Sequence, residues 1–376
     1  MGCATIYRGT CLLMNKNSAR ILAFSAVLAL LFMPSLRADW NPKLAAEFMD
    51  ARQKAWVTWP HANESGVPCV SCHTGMPYLL ARPALRQALG EKTPTLYEDV
   101  LLAGLRATVM RTDAKDLFKG LKGPIADQVF GAQAVLSALL LANDDARHGR
   151  LSPEAEKALE RMWSAQVRTG DARGSWFWSD FDLDPWETKD ATFYGAALGA
   201  LATGVAPEGY QARPELRENI AALTAYLRGA QQKQPLHNRL FLLWASTRLR
   251  DLLPDRDRQA ILDEVRTKQQ DDGGWTLASL GAWKPRPEAP PAGGSNSYAT
   301  GVVAFTLEQA GVRSSDKVLA RGLSWLKSRQ NPQTGAWTAD SMNHHHDPGS
   351  MPALFMSDAA TGFATMALLA GEQNKP

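Results

Sequence analysis

Cysteine is scarce in this chain, with four residues among 376, and two of them, Cys3 and Cys11, lie before a long apolar run. A framework of several disulfides, typical of small secreted domains, is therefore excluded. An excess of one charge is also missing, because 41 Lys and Arg face 38 Asp and Glu. Residues 1–38 hold four of the basic residues and no acidic one, so the remainder carries 37 basic and 38 acidic residues. This balance argues against a nucleic-acid partner bound through bulk charge.

The apolar run at residues 21–33 contains one polar residue, Ser25, and follows Lys16 and Arg20. A positive start, a short apolar stretch and small residues near Ala38 are typical of a secretory signal peptide. A membrane-spanning helix needs about 20 apolar residues, so a retained anchor is the less favoured alternative.

We therefore predict a signal peptide over residues 1–38 and a periplasmic or secreted mature protein. The start of translation is left open between Met1 and Met14, because the first thirteen residues add nothing to the signal. No later segment reads as long and apolar enough to cross a bilayer, so we expect no integral membrane span after signal cleavage.

The most distinctive local motif lies at residues 68–75, which read Pro-Cys-Val-Ser-Cys-His-Thr-Gly. The C-x-x-C-H arrangement is the attachment motif of c-type haem, in which two thiols bind one porphyrin edge. Cys69 and Cys72 would supply the thiols, and His73 would be the proximal iron ligand. Two other interpretations stay open: a local disulfide, and half of a zinc site, for which no second Cys/His pair follows. The motif predicts covalent haem c in a segment spanning 39–95.

The second axial ligand of such an iron is less constrained by the sequence. His and Met are the usual ligands, and the candidates are Met351, Met356, Met110 and His61. Because residues 39–95 are few for a self-contained cytochrome domain, we expect the rest of the protein to shelter the haem and to donate this ligand.

After residue 95 the chain shows helical periodicity almost throughout, and strand-like alternation is nearly absent. Small apolar segments, such as 190–204 and 298–311, alternate with charged amphipathic segments, such as 214–231 and 315–330. The small residues let helices pack closely, which suits an inner layer with the charged helices outside.

The alternation has a measurable period. Trp275 and Trp337 end two similar turns and lie 62 residues apart, and the Thr residues of two Ala-Thr-Gly triplets, Thr300 and Thr361, lie 61 apart. Repeats of this kind stack so that each unit buries the apolar face of its neighbour. We predict an all-α fold, an α/α toroid of five to six helical hairpins over residues 96–376.

A turn with Gln, Gly and Trp, followed by Ala-Thr-Gly at the next helix, resembles the QW repeats of squalene–hopene cyclases and their relatives. The resemblance is clearest over residues 269–371. It implies the α/α toroid of terpenoid cyclases and protein prenyltransferases. It also implies that Gln269, Trp275, Gln330 and Trp337 tie the outer helices together.

The catalytic groups of those families are missing. A cyclase protonates an alkene with an Asp-x-Asp-Asp motif, whereas the nearest acidic cluster here, Asp180, Asp182 and Asp184, has a different spacing and is followed by Pro185. A prenyltransferase zinc site needs a cysteine, and none follows Cys72.

No other catalytic motif is present, since the chain lacks a G-x-S-x-G elbow, a phosphate-binding Gly loop and H-E-x-x-H. Asp190 and Asp358 stand at the starts of apolar segments, where we expect them to cap helices. We interpret the Pro- and Gly-rich residues 281–294 as a connector. The sequence indicates no catalytic residue, and whether the chain is an enzyme is left open.

These patterns favour an exported monohaem c-type cytochrome-like protein with a squalene-cyclase-like toroid, acting in electron transfer or haem-dependent redox chemistry. A redox partner protein is the expected macromolecular partner. The alternative is an enzyme that modifies isoprenoids, or a scaffold on the toroid fold that binds a hydrophobic small molecule.

Overall fold

A computed structural model describes residues 39–62, 69–111, 123–291 and 293–373. The predicted signal peptide at 1–38 lies outside the described residues. From Asp39 onward the chain forms one compact unit. The segment at 39–95 packs within this unit, and its boundary at residue 95 stays a prediction.

The described residues form helices, and their only strand-like feature is an isolated bridge between Leu183 and Glu187. Six helices form an outer layer: α1 (Pro42–Thr58), α3 (Leu96–Met110), α5 (Pro153–Ser164), α7 (Arg217–Ala230), α9 (Asp255–Thr267) and α12 (Lys317–Arg329). Six form an inner layer: α2 (Gly75–Ala88), α4 (Pro124–Ala146), α6 (Ala191–Val205), α8 (Leu236–Ser246), α11 (Ser297–Gln309) and α13 (Phe355–Gln373).

Shorter helices lie in the connections. The single-turn α10 (Leu277–Leu280) precedes α11, and 3-10 turns occupy Pro60–Ala62, Tyr210–Ala212, Pro214–Leu216, Gln231–Lys233 and Pro352–Leu354.

The inner helices close a ring. Each packs against the next one in the order α2, α4, α6, α8, α11 and α13, and α13 packs back against α2. The chain therefore alternates between the outer and the inner layer through six hairpins. The prediction of an all-α toroid is confirmed.

Small residues let the inner helices crowd together, as α6 shows. Of its fifteen residues, the twelve from Ala191 to Thr203 other than Thr192 are buried, so it has no solvent face. A Cβ added at Gly195 would lie 2.1 Å from the ring of Trp178. The indole therefore packs directly on the helix backbone, which a larger residue would prevent.

The outer helices are amphipathic, as α5 shows. The Ser152 hydroxyl accepts a hydrogen bond from the Ala155 N–H at 3.2 Å and caps the helix. Pro153 occupies the first turn, where a missing N–H costs nothing. The buried residues Leu159 and Met162 recur at helical spacing with Ala155, so one face packs on the inner ring and the other meets solvent.

The repeated Gln residues tie three of the hairpins to the next one, and the repeated Trp residues tie each connection to its own outer helix. Gln269 Nε2 donates to the Gly273 carbonyl at 2.9 Å and to the Val318 carbonyl of α12 at 2.7 Å. Trp275 Nε1 donates to the Val265 carbonyl of α9 at 2.9 Å. Gln166 and Trp176, and likewise Gln330 and Trp337, make the same pattern of bonds. The structural role implied by the resemblance is thus carried by hydrogen bonds to backbone carbonyls.

Aromatic side chains from several inner helices pack against one another inside the ring. Tyr194 meets Phe241 edge to face at 4.7 Å between ring centroids, and Phe241 meets Phe363 at 5.7 Å. His237 Nε2 lies 2.8 Å from the Tyr298 hydroxyl. All five side chains are buried, so the described part of the ring centre is packed rather than open.

Two helices meet the length and composition of a membrane span: Pro124–Ala146 and the segment Pro352–Gln373. This differs from the expectation that no such segment follows the signal. Both helices belong to the inner ring, and 61% and 78% of their apolar windows are buried within the protein. Their apolar character is that of core helices.

Candidate functional site

The connections that lead from an outer to an inner helix all lie at one end of the ring, because the chain alternates direction between the layers. Their described parts fall within residues 59–74, 111–123, 165–190, 231–235, 268–296 and 330–354. Side chains far apart in the sequence therefore meet at this end, which we call the loop face.

The Cys-x-x-Cys-His motif lies on the loop face, in the first connection. Cys69 is exposed and Cys72 is buried, and both are free. Burial, together with the charge of Glu187, raises the pKa of the Cys72 thiol well above its usual value. Cys72 is therefore a neutral thiol that packs as a small apolar side chain.

Aromatic side chains enclose the ring of His73. Phe355 stacks on it, with ring centroids 3.8 Å apart, and Trp56 presents its edge at 5.3 Å. Trp186 approaches at 6.0 Å. Burial and, secondly, the positive charge of Arg52 lower the pKa of His73 to about 3, so the imidazole is neutral at pH 7.

A buried ion pair supports this cluster. Arg52 donates to both carboxylate oxygens of Asp358, at 2.6 and 3.0 Å, and the Thr74 hydroxyl donates to the same carboxylate at 2.7 Å. Burial raises the pKa of Asp358 to about 6, although Arg52 opposes the shift. The expectation that Asp358 caps a helix is wrong, because it lies inside α13 and pairs with α1. Asp190 does occupy the N-cap position of α6, but its side chain makes no capping hydrogen bond.

The four candidates for a second iron ligand are spread over the protein. Met351 lies beside the cluster, where its sulfur accepts a hydrogen bond from Arg52 at 3.3 Å. Met356 is buried in the first turn of α13, and the ring of His61 contacts Trp59 at 4.9 Å. Met110, which ends α3, is 55% exposed. None is shown in contact with His73, and their predicted role stays untested.

A second group of side chains on the loop face forms an acidic cavity of about 370 Å³. Its lining includes Asp180, Asp182, Asp184 and Asp190, and Trp283 forms part of its wall. The four carboxylates come from one connection, whereas Trp283 comes from the connection two hairpins later.

Asp184 is fixed in this cavity by its backbone. Its N–H donates to Asn343 Oδ1 at 2.9 Å, and its carbonyl accepts from Asn343 Nδ2 at 2.8 Å. The side chain is buried, its Oδ2 has no hydrogen-bond partner among the described residues, and burial raises its pKa. This environment favours the protonated form of the carboxyl group more than water does.

Asp182 has the opposite environment. Its exposed carboxylate accepts from the Lys284 ammonium and from Arg286, and the hydrogen bond from Lys284 is the main cause of its lowered pKa. Arg286 Nη2 lies 3.2 Å from Asp182 Oδ1 and 3.8 Å from Asp184 Oδ2. These two oxygens are therefore at most about 7 Å apart. Two neighbouring carboxyl groups with pKa values pushed in opposite directions are a typical acid and base pair.

Trp283 separates this cavity from a second one of about 530 Å³, whose lining includes Arg286 and Asp340. Its Nε1 donates to the Leu277 carbonyl at 2.7 Å, which fixes the indole between the two cavities. Phe177 and Phe181, 49% and 47% exposed, project from the connection that carries the acidic residues. The two cavities share Ala282, Trp283 and Lys284 in their linings, and we call them together the acidic cleft.

Sequence reasoning did not select the acidic cleft. The spacing of Asp180, Asp182 and Asp184 was compared with an alkene-protonating motif, which it does not match. Because residues 281–294 were interpreted as a connector, Trp283, Lys284 and Arg286 were not selected as candidate site residues. Alternating acids followed by proline in a long connection were the available signal.

No protein-family model and no curated protein matches this chain. Among solved structures, it is similar to a glycosidase chain with a TM-score of 0.51 and 12% identity, covering 87% of this chain and 98% of that one. A polysaccharide lyase is matched with a TM-score of 0.33 and 11% identity, over 94% of this chain and 97% of that one. The first similarity shows the fold alone, a helical toroid, and membership of the squalene–hopene cyclase family is not shown.

The prediction of an electron-transferring cytochrome is wrong. The toroid that carries the motif is similar in fold to a chain described as a glycosidase. In the described ranges no group of three or more His, Cys, Asp or Glu side chains could hold a metal ion. Within this fold Phe355 stacks on the ring of His73, and Trp56 packs edge to face against it. The expectation of electron transfer is corrected with it.

The alternative of an isoprenoid-modifying enzyme built around the ring centre is corrected as well, because packed aromatic residues occupy that centre. Covalent haem at Cys69 and Cys72, a redox partner protein and export to the periplasm stay predictions that nothing in the structure tests.

Proposed function

We propose that this protein is a carbohydrate-active enzyme that hydrolyses glycosidic bonds in the acidic cleft. The observation that carries the proposal is the pair of carboxyl groups, Asp182 and Asp184, whose pKa values are shifted in opposite directions beside the shared Arg286. The similar solved fold is a chain described as a glycosidase. That likeness supports the proposal through the fold only.

The geometry suits general acid and base catalysis at an acetal. Glycosidases use two carboxyl groups about 5–9.5 Å apart, one protonated and one ionised. Asp182 Oδ1 and Asp184 Oδ2 lie at most about 7 Å apart, so their separation does not exceed the upper end of this range. Asp184 would donate its proton to the glycosidic oxygen, and Asp182 would either take a proton from the attacking water or attack the sugar itself.

The walls of the cleft suit a sugar. A pyranose ring has an apolar face, which packs on the face of an indole, and hydroxyl groups that bind carboxylates and lysine. Trp283 supplies such a surface between two cavities, so each cavity would hold one sugar unit on either side of it.

The charge of the cleft indicates an uncharged glycan. The linings of the two cavities contain five aspartates and three basic residues, of which Lys284 and Arg286 already bind Asp182. A uronic-acid polymer would meet net repulsion there. Its cleavage by elimination also needs a positive group that is free to neutralise the sugar carboxylate.

The experiment is a panel of neutral, amino-sugar and uronic-acid polysaccharides, assayed for binding by affinity electrophoresis and for cleavage by new reducing ends. The proposal predicts that a neutral glycan is bound and hydrolysed. It also predicts that uronic-acid polymers yield no unsaturated ends. If no glycan on the panel is retained or cleaved, or if cleavage yields unsaturated ends, the assignment of glycoside hydrolysis to the acidic cleft is wrong.

A further inference from the structure

A separate cavity of about 440 Å³ opens at the end of the ring opposite the loop face. All six inner helices line it, as one lining residue from each shows: Leu80, Asn143, Val205, Trp244, Phe305 and Met366. These residues lie in the later turns of their helices, apart from Leu80, which lies near the middle of α2. The volume is that of a small-molecule site.

The lining of this cavity is mixed, because apolar side chains such as Trp244 and Phe305 lie beside the polar Asn143, Gln309 and Gln373. Trp244 and Phe305 pack edge to face with ring centroids 4.9 Å apart and form a continuous aromatic surface. Trp244, Phe305 and Met366 keep 6%, 7% and 7% exposure, whereas their chain neighbours Leu243 and Ala304 are fully buried. The remaining exposed surface of these large side chains therefore faces the cavity, where an apolar ligand would cover it.

The rim of the cavity is positively charged. Arg147 and Arg248 line it, and no Asp or Glu does. Arg248 Nη2 donates to Gln309 Oε1 at 2.9 Å, which is a neutral partner. No ion pair within 4.0 Å joins either guanidinium to a carboxylate in the part of the chain that the structure describes.

The inner helices end near this cavity, and their last carbonyl groups carry partial negative charge. That charge acts within the last turn and is screened by solvent. A guanidinium carries a full charge and binds a carboxylate through two parallel hydrogen bonds. The two arginines therefore make the rim suitable for an anion.

We propose that this cavity binds a single-chain amphiphile with an anionic headgroup, of the kind represented by a fatty acid. The chain lies against Trp244 and Phe305, and the carboxylate pairs with Arg248 at the rim. The proposal concerns the end of the ring opposite the acidic cleft and does not depend on glycoside hydrolysis.

The test is isothermal titration calorimetry of the full mature chain with laurate, below its aggregation concentration. Dodecyltrimethylammonium and dodecyl maltoside, which have a chain of the same length, are the cationic and uncharged comparisons. Three variants are titrated in parallel. Arg248→Gln removes the charge, Ala370→Trp fills the cavity, and Arg256→Gln is the matched control, because Arg256 is 89% exposed on α9.

The proposal predicts one laurate per chain and no comparable binding of the cationic amphiphile. Arg248→Gln should weaken binding about tenfold, the loss expected for a charge-assisted hydrogen bond. Ala370→Trp should abolish binding with an unchanged circular dichroism spectrum, and Arg256→Gln should bind as the parent does.

Failure of laurate to bind overturns the proposal. So does equal binding of all three amphiphiles, which would mean that the arginines only neutralise the helix ends. Unchanged binding in Ala370→Trp would place the ligand elsewhere and contradict the assignment of this cavity.

Discussion

Gln330 and Asn41 are 289 residues apart, yet two hydrogen bonds join them. The Asn41 N–H donates to Gln330 Oε1 at 2.6 Å, and Gln330 Nε2 donates to the Asn41 carbonyl at 2.9 Å. Asn41 is the N-cap of α1, and Gln330 follows the last residue of α12. The corresponding glutamines, Gln166 and Gln269, join successive hairpins. Gln330 joins the last hairpin to the first and so closes the ring.

Gln330→Ala should destabilise the protein, because it removes both closing hydrogen bonds. We expect a loss of about 1–3 kcal/mol in the free energy of unfolding, since each bond contributes about 0.5–1.5 kcal/mol. Urea unfolding followed by circular dichroism measures it. Gln333→Ala, an exposed glutamine in the same turn, is the control and should stay within about 0.5 kcal/mol of the parent. Equal stability of the two variants would show that ring closure does not depend on Gln330.

Gly335 is the position where the closing turn approaches α1 most closely. It has φ +77°, and an added Cβ would lie 2.2 Å from the Leu44 backbone. Gly349 has φ +80° with no atom within 4 Å of an added Cβ. Gly349→Ala should therefore cost about 1–2 kcal/mol from backbone strain alone, and Gly335→Ala should cost clearly more because the turn must also move. Thermal unfolding compares them, and equal costs would contradict the close packing.

Glu308 should make stability depend on pH. Both of its carboxylate oxygens lack hydrogen-bond partners among the described residues, and burial raises its pKa from 4.5 to about 9. The folded protein keeps this proton at pH values where the unfolded chain has lost it. The stabilising contribution is therefore fully present below about pH 4.5 and is lost as pH rises through 9.

Glu308→Gln, which keeps the shape and removes the ionisable group, should flatten the fall in unfolding free energy between about pH 5 and pH 9. Denaturant titrations at several pH values measure this slope. Glu215→Gln, at an exposed glutamate, should keep the slope of the parent. If the Glu308 variant keeps it too, the carboxyl group is ionised in the folded protein and the assigned pKa direction is wrong.

Arg286 should control the pH dependence of the proposed hydrolysis. Its positive charge lowers the pKa of both Asp182 and Asp184. Arg286→Gln should therefore move both limbs of the pH profile of kcat/KM toward higher pH. Without the positive charge, the base loses its proton at a higher pH, and the acid keeps its proton up to a higher pH. An unchanged profile would show that these two groups do not set the rate.

Trp283 should bind substrate rather than take part in proton transfer. Trp283→Ala removes the surface between the two cavities, so KM should rise about tenfold or more with a smaller change in kcat. Trp283→Phe keeps an aromatic face and should recover part of the affinity. Steady-state kinetics on the cleaved glycan measure both constants, and an effect confined to kcat would contradict a binding role.

The fold was predictable from the sequence because its signals are repeated. The recurrence of Gln, Gly and Trp at 61 to 62 residues reflects one contact used in successive hairpins, as Gln269 and Gln330 both show. Helical periodicity predicts the elements, and small residues predict the inner layer. The first hairpin could not be recognised as a repeat in the sequence, because its connection carries the cysteine motif in place of the repeated turn.

The acidic cleft was not predictable in the same way. Burial raises the pKa of Asp184, and two hydrogen bonds hold its backbone to Asn343, which is 159 residues away. Nothing local to Asp184 specifies that contact. The cysteine motif is visible in the sequence, but its surroundings are not. Cys69 and Cys72 match a haem-attachment pattern, whereas the position of His73 beneath Phe355 depends on the tertiary fold. The mass of exported protein tests the haem prediction, which requires one added haem per chain.

The most direct test of glycoside hydrolysis in the acidic cleft is a comparison of binding and turnover in Asp184→Asn with a neutral glycan that the parent cleaves. Calorimetry gives Kd, and release of reducing ends gives kcat. Asp171→Asn, at an exposed aspartate of the same connection, is the matched control. The account predicts that Asp184→Asn keeps the Kd of the parent within about threefold and loses about 10²–10⁴-fold in kcat, while Asp171→Asn keeps both. A kcat of Asp184→Asn equal to that of the parent would contradict the account.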